Sequence, residues 1–292
     1  MSSSGGKTPK ALGIIAGSGA MPISVAEAAR NDGRHVHIVA LEGVASESVE
    51  AFSHTWVRFG EIGKVIKALK RERCEGLVIV GGVRRPKVAD IRLDLGGIVN
   101  LPSLLGWTVG GDNSALAGIV GFFESKGFEV LGAHDVNPDL LANEGPLGRH
   151  QPSKQDQQDI AIACRVVKAL GALDVGQAAV VARQYVLAVE AAEGTDRMLE
   201  RCKDLNHWWG GRKSSRSGVL VKCAKPGQER RVDLPTIGPE TVRCAADAGL
   251  AGIGVAALDV LILNKSELIE EADRAGLFVV GVRIADSDDA QS

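Results

Sequence analysis

The sequence predicts an α/β protein of two domains: an N-terminal Rossmann-like parallel sheet, a C-terminal mixed α/β domain, and a ligand cleft between them. Three observations predict it. Short apolar strands alternate with helical periodicity over residues 11–132 and again over 239–282, and a β-α-β rhythm implies a mostly parallel sheet covered by helices. Residues 137–158, NPDLLANEGPLGRHQPSKQDQQ, are polar and broken by Pro and Gly, as interdomain connections are. The chain carries 36 Gly and only 4% aromatics, which suits Val/Ile/Ala-rich strands joined by tight turns. Residues 1–10 are expected to be a disordered lead-in, 11–145 the N-terminal domain, 146–158 a linker, and 159–285 the catalytic α/β domain.

Taken in order, the first strand is 11–16. Gly17-Ser18-Gly19 turns the chain into a helix over 21–30, where Pro22 occupies the first turn, a place proline favours. Strands follow at 35–41 and 56–59. A helix over 62–71 sets Ile62, Val65, Ile66 and Leu69 at helical spacing. The strand 76–80 ends in Gly81-Gly82, and a helix at 115–126 precedes a strand at 129–132. The second half opens with a helix at 159–170 and a hairpin of strands 177–182 and 185–191. Strands at 219–224 and 230–234 come next. The chain closes with helix 239–248, strands 253–255 and 260–263, helix 265–275 and strand 277–282.

Composition excludes several functions. At 292 residues with 45% hydrophobic content and net charge −2, the chain is an ordinary globular protein, not a nucleic-acid coat. Five cysteines without a C-x-x-C pair point to reduced, structural thiols rather than zinc. No apolar run approaches the ~20 residues of a membrane span, so any membrane contact is peripheral and the expected location is cytoplasmic, at the inner-membrane surface at most. The G-x-G-x-x-G fingerprint fails at Pro22, which disfavours a nicotinamide site. There is no nucleophile elbow, Walker loop or H-E-x-x-H.

The chemistry concentrates between Val186 and Pro239. Glu190, Glu193 and Asp196 follow one strand-like run; Lys222 and Lys225 lie in another; Asp233 precedes the breakers Pro235 and Gly238. Hard carboxylate oxygens beside ammonium groups are what magnesium-assisted attack on a phosphate anhydride requires, although any one of them alone reads as a solvated charge. Gly17-Ser18-Gly19 and Gly81-Gly82 lie at strand ends, where backbone N–H groups can meet phosphate, or are plain turns. Arg84, Arg85 and Lys87 adjoin the second turn, and Gly110 to Ser114 includes a ready helix cap. His35 and His37 read as strand-edge histidines, and His134-Asp135 as a turn closure. His207, Trp208 and Trp209 cover a ligand or plug an interface.

Several strings, among them LGIIAGSGAMP, GEIGKVIKALK, GGVRRP, GDNSAL, VLGAHDVNPDLLA, VLAVEAAEGTDRML and KPGQERRVDLPTIGPETV, resemble the UDP-2,3-diacylglucosamine pyrophosphatases of the non-calcineurin-like type. The resemblance runs from about Leu12 to Val282. It implies Mg²⁺-dependent hydrolysis of UDP-2,3-diacylglucosamine to 2,3-diacylglucosamine 1-phosphate (lipid X) and UMP in lipid A biosynthesis. It also implies a ligand in the cleft, a homodimer, and an essential aspartate in the R-x-D-x-P string, here Asp233. On this reading Asp233, Asp196, Glu190 and Glu193 are the expected metal ligands. Gly17, Ser18, Gly19, Gly82, Asp112 and Asn113 are expected to bind substrate, joined by Thr195, Lys222, Lys225 and Gln228. An apolar chamber between the domains is expected to shelter the acyl chains. The alternative is a non-catalytic sensor of the same nucleotide-sugar lipid.

Overall fold

The computed structural model describes residues 11–83, 94, 96, 112–205 and 216–284. The chain divides into two units: Met1–Pro138 with Glu229–Asp233, and Asp139–Gln228 with Leu234–Ser292.

In the first unit, β1 (Ala11–Ala16), α1 (Met21–Asn31), β2 (His35–Leu41), β3 (Ser53–Val57), α2 (Ile62–Arg71), β4 (Gly76–Val80), α3 (Asp112–Ser125), β5 (Glu129–Leu131) and α4 (Ala133–Val136) follow in order. The five strands are all parallel, in the order β3-β2-β1-β4-β5. Central strands of such a sheet are covered on both faces, which is why β1, β2 and β4 are almost continuously apolar. On α2, Val65 and Leu69 are buried in a core with Val39, Val57, Leu77, Phe122, Phe123 and Val130. Fully burying a leucine of this kind stabilises by about 1.5–3 kcal/mol.

β3 begins earlier than the predicted 56–59, because its polar start has a buried partner. His37 on β2 is fully buried, with Nδ1 2.8 Å from Ser53 Oγ and Nε2 3.0 Å from Thr55 Oγ1. His37 is therefore an interior residue of a central strand and not a strand-edge histidine, and burial lowers its pKa. His35 alone is exposed, beside Glu72 at 3.4 Å.

The second unit holds β6 (Gly145–Pro146), α5 (Lys154–Ala172), β7 (Ala178–Ala182), β8 (Tyr185–Val189), α6 (Thr195–Leu205), β9 (Val219–Lys222), β10 (Thr236–Ile237), α7 (Pro239–Asp247), β11 (Gly252–Ala256), β12 (Leu261–Ile262), α8 (Lys265–Ala275) and β13 (Phe278–Val282). Its main sheet runs β6-β13-β11-β9-β7-β8, parallel at β13-β11-β9 and antiparallel toward both edges; β10 and β12 form a separate parallel pair. α5 starts before the predicted 159, since Ser153 caps it: Ser153 Oγ accepts from Asp156 N and Asp156 Oδ2 accepts from Ser153 N. The β7–β8 turn places Arg183 and Gln184 at φ 49° and 68°. The buried Asp159 carboxylate holds both, accepting from Arg183 N at 2.9 Å and Gln184 N at 2.7 Å. The strand predicted at 230–234 is absent: Val232 N and Asp233 N both donate to Glu229 O, closing a helical turn that has no strand partner. Among the described residues no helix is long and apolar enough to cross a membrane.

Candidate active site

The strand order of the first unit reverses between β1 and β4, and ligands of open α/β sheets bind outside the carboxyl ends of the strands at such a switch point. The glycine turns Gly17–Gly19 and Gly81–Gly82 lie there. They clasp each other: Ser18 N donates to Gly82 O at 2.8 Å, Gly82 N to Ser18 O at 3.0 Å, and Ser18 Oγ to Gly82 O at 3.0 Å. Only glycine allows this approach. A Cβ on Gly17 would lie 2.6 Å from Gly82 O, and one on Gly81, at φ 99°, would lie 2.7 Å from Ser18 O. Because Gly17 N donates to Val80 O and Ser18 N to Gly82 O, those two amides hold the clasp together. Asp112 and Asn113 occupy the first two positions of α3. Arg84, Arg85, Lys87, Gly110, Gly111 and His207 to Gly211 lie outside the described residues.

In the second unit three of the expected residues meet. Glu190 follows β8, Thr195 opens α6, and Lys222 ends β9; all three are buried. Thr195 Oγ1 donates to Glu190 Oε1 at 2.7 Å, and Lys222 Nζ donates to Thr195 Oγ1 at 3.0 Å and to Thr236 O at 3.1 Å. A lysine has no acceptor, so the threonine hydroxyl must receive from Lys222 and give its own proton to Glu190. The hydroxyl thus links an ammonium to a carboxylate. Glu190 Oε2 accepts from Gln177 N at 3.2 Å. The backbone groups of Gln177 and Thr236 join this network, and no sequence pattern marks them.

The neighbouring acids do other work. Glu193 pairs with Arg201 at 2.7 Å, and its own backbone N–H, followed by Arg201, holds its carboxyl below the usual range. Asp196 lies in the first turn of α6. Lys225 reaches Asp174 at 2.8 Å, while Gln228 folds back so that its Oε1 accepts from Lys225 N at 2.9 Å.

Asp233 stands at the end of the short segment that packs with the first unit. Arg231 organises that segment. Its Nε and Nη2 donate to Glu229 Oε1 and Oε2 at 2.9 and 2.8 Å, and Nη1 donates to Glu124 Oε1, on α3, at 2.7 Å. These bonds lower the Glu229 pKa and raise that of Arg231. Val232 packs against the first unit's core, and Asp233 N donates to Glu229 O at 3.0 Å, so the half-buried Asp233 rises from a fixed turn.

Among the described residues no three His, Cys, Asp or Glu side chains gather to hold a metal ion. Glu190 and Glu193 give oxygens to protein donors instead. A metal ion can be held by a cage of several protein carboxylates. Magnesium seldom requires one, since it keeps several waters and takes one or two carboxylates together with substrate phosphates.

A parallel sheet with a glycine clasp at its switch point, and a mixed sheet carrying a buried lysine–threonine–glutamate network, define a two-unit α/β protein. Two family models match in tandem, the LpxI N-terminal domain over residues 11–140 and the LpxI C-terminal domain over residues 143–280. The UDP-2,3-diacylglucosamine pyrophosphatase LpxI of Caulobacter vibrioides is 43% identical over 271 residues, covering 93% of this chain and 97% of that one. The chain belongs to the LpxI family.

Proposed function

We propose that this protein hydrolyses the diphosphate of UDP-2,3-diacylglucosamine, releasing 2,3-diacylglucosamine 1-phosphate and UMP for lipid A biosynthesis. The observation that carries the reading is 43% identity, over 93% of the chain and so across both units, with a relative named for that pyrophosphatase activity. Splitting a phosphoanhydride is chiefly a matter of aligning water and neutralising charge, with no covalent intermediate needed. Asp233 suits the first task, as a carboxylate on a turn fixed by Arg231, which orients the water and takes its proton as the P–O–P bridge breaks. Lys222 suits the second, its Nζ aimed by Thr195 and the Thr236 carbonyl. Magnesium, carried on the diphosphate, would supply further neutralisation, with Asp233 or Asp196 as its proposed carboxylate. The turns at Gly17–Gly19 and Gly81–Gly82 are proposed to receive the nucleotide.

A substrate with two acyl chains makes peripheral membrane contact part of this proposal. A homodimer is supported by the family resemblance. The deciding experiment incubates purified protein with UDP-2,3-diacylglucosamine and Mg²⁺ and follows UMP by chromatography and both products by ³¹P NMR. Equimolar UMP and lipid 1-phosphate are expected. Tight binding without UMP would make the protein a sensor.

A further inference from the structure

Of the five cysteines, three are isolated and two are partners. Cys164, on α5, and Cys223, immediately after β9, are hydrogen-bonded to each other through their side chains, and α5 packs on β9. The two differ in access. Cys164 lines a groove of about 560 Å³ in the second unit, with Ile160 and Val280 in its wall and Arg165, Lys168 and Arg283 around it. Cys223 lies behind it, 3% exposed. A small polar oxidant can therefore reach one sulfur from a cationic groove, while the second waits in contact on the core side.

We propose that Cys164 and Cys223 are a modification site, a dithiol that a hydroperoxide converts reversibly to an intramolecular disulfide. Cys164 Sγ attacks the peroxide, the O–O bond breaks, one oxygen stays on sulfur as a sulfenic acid, and the other leaves as water or alcohol. Cys223 Sγ then attacks Cys164 Sγ, the S–O bond breaks, and the hydroxyl leaves as water with the Cys223 proton. Two thiols are oxidised and one peroxide is reduced. A dithiol reductant reverses the bond.

The electrostatics support this division of labour. The thiolate is the nucleophile. The hydrogen bond from Cys223 lowers the Cys164 pKa, with Lys168 one turn along adding to it, whereas Cys223 is raised by that same bond, by burial and by Asp259. Burial pushes Cys74, Cys202 and Cys244 up to about 11, which makes them internal comparators. In a reducing compartment a bond of this kind is transient and acts as a sensor. Neither sulfur belongs to the network around Lys222, so the inference stands apart from the proposed activity.

Peptide mapping tests it on the full-length protein. After a titration with hydrogen peroxide, alkylation and tryptic digestion, residues 155–165 should be found joined to residues 223–230, and dithiothreitol should separate them. The linked pair should form at least tenfold faster than any modification of Cys74, Cys202 or Cys244, at a rate independent of protein concentration. Cys223→Ala should trap the Cys164 sulfenic acid as a dimedone adduct, with far-UV circular dichroism confirming the fold. Oxidation of all five cysteines at similar rates, or a link that forms only between molecules, would overturn the proposal. The wild-type digest decides this even if the variant fails to fold.

Discussion

Replacing Thr195 by Val tests whether the buried network stabilises the second unit. Valine keeps the shape and deletes one hydroxyl, which donates to Glu190 Oε1 at 2.7 Å and accepts from Lys222 Nζ at 3.0 Å. Glu190, Thr195 and Lys222 are 6%, 8% and 7% exposed, so water cannot simply replace what is lost. Hydrogen bonds to charged groups contribute about 1.5–3 kcal/mol each, and two are removed. The added methyl returns about 0.8 kcal/mol of apolar burial. With Gln177 N and Thr236 O still in place, the net loss is about 2–5 kcal/mol. For a unit of this size each kcal/mol lowers Tm by about 2–4 °C, so a fall of about 4–20 °C is expected in thermal melts followed by circular dichroism. Thr195→Ser is the control: it keeps both bonds, loses one methyl, and should cost about 1 kcal/mol. A Thr195→Val melt within about 2 °C of the serine variant would refute the reasoning, because the hydroxyl would then contribute nothing beyond its methyl neighbour.

Asp233→Ala should lower kcat for UMP release by about 10²–10⁴ with little change in substrate affinity, as expected of a proton acceptor; a loss of tenfold or less would remove Asp233 from that role. Exhaustive treatment with EDTA should abolish UMP release, and Mg²⁺ or Mn²⁺ should restore it; undiminished turnover after chelation would leave the diphosphate to Lys222 and the arginines. Gly81→Ala forces a Cβ into a φ of 99°, 2.7 Å from Ser18 O, and should lower stability by about 1–3 kcal/mol in urea titrations. Because burial lowers the His37 pKa below 6.5, the unfolded chain takes up the proton first, so stability should fall as pH drops below about 6.5. His37→Asn should flatten that slope between pH 7 and 5, and parallel slopes would count against His37 as the source.

The repetitive parts of the fold were legible because their signals are local. Apolar runs at β1, β2 and β4 and the 3.6-residue spacing of α2 appear where the residues predict them. The early start of α5 was also written in the chain, as Ser153 and Asp156 in capping-box spacing. What local pattern could not reveal was pairing. The polar start of β3 reads as a loop until His37 provides a buried partner for Ser53 and Thr55. The run from Arg230 to Leu234 has strand-like alternation, yet Arg231 folds onto Glu229 and turns it. At the candidate site, residue types pointed to acids and lysines, but only the fold joined Glu190 to Lys222 through Thr195. The same fold turned Glu193 toward Arg201 and Lys225 toward Asp174.

The segment Glu229–Asp233 has a consequence for the order in which the protein is made. It completes the first unit, yet it is encoded 91 to 95 residues beyond Pro138. At a synthesis rate of about 5–20 residues per second, the first unit emerges about 5–20 s before the piece that carries Val232 and Arg231. Until then Glu124 lacks its guanidinium and the core around Phe122 and Phe123 lacks Val232. A gene severed at Pro138 would yield an N-terminal fragment without that closure and a C-terminal fragment carrying Asp233 on a turn that has lost its bond to Glu124. The two halves can be drawn as separate modules, but the chain makes them finish folding together.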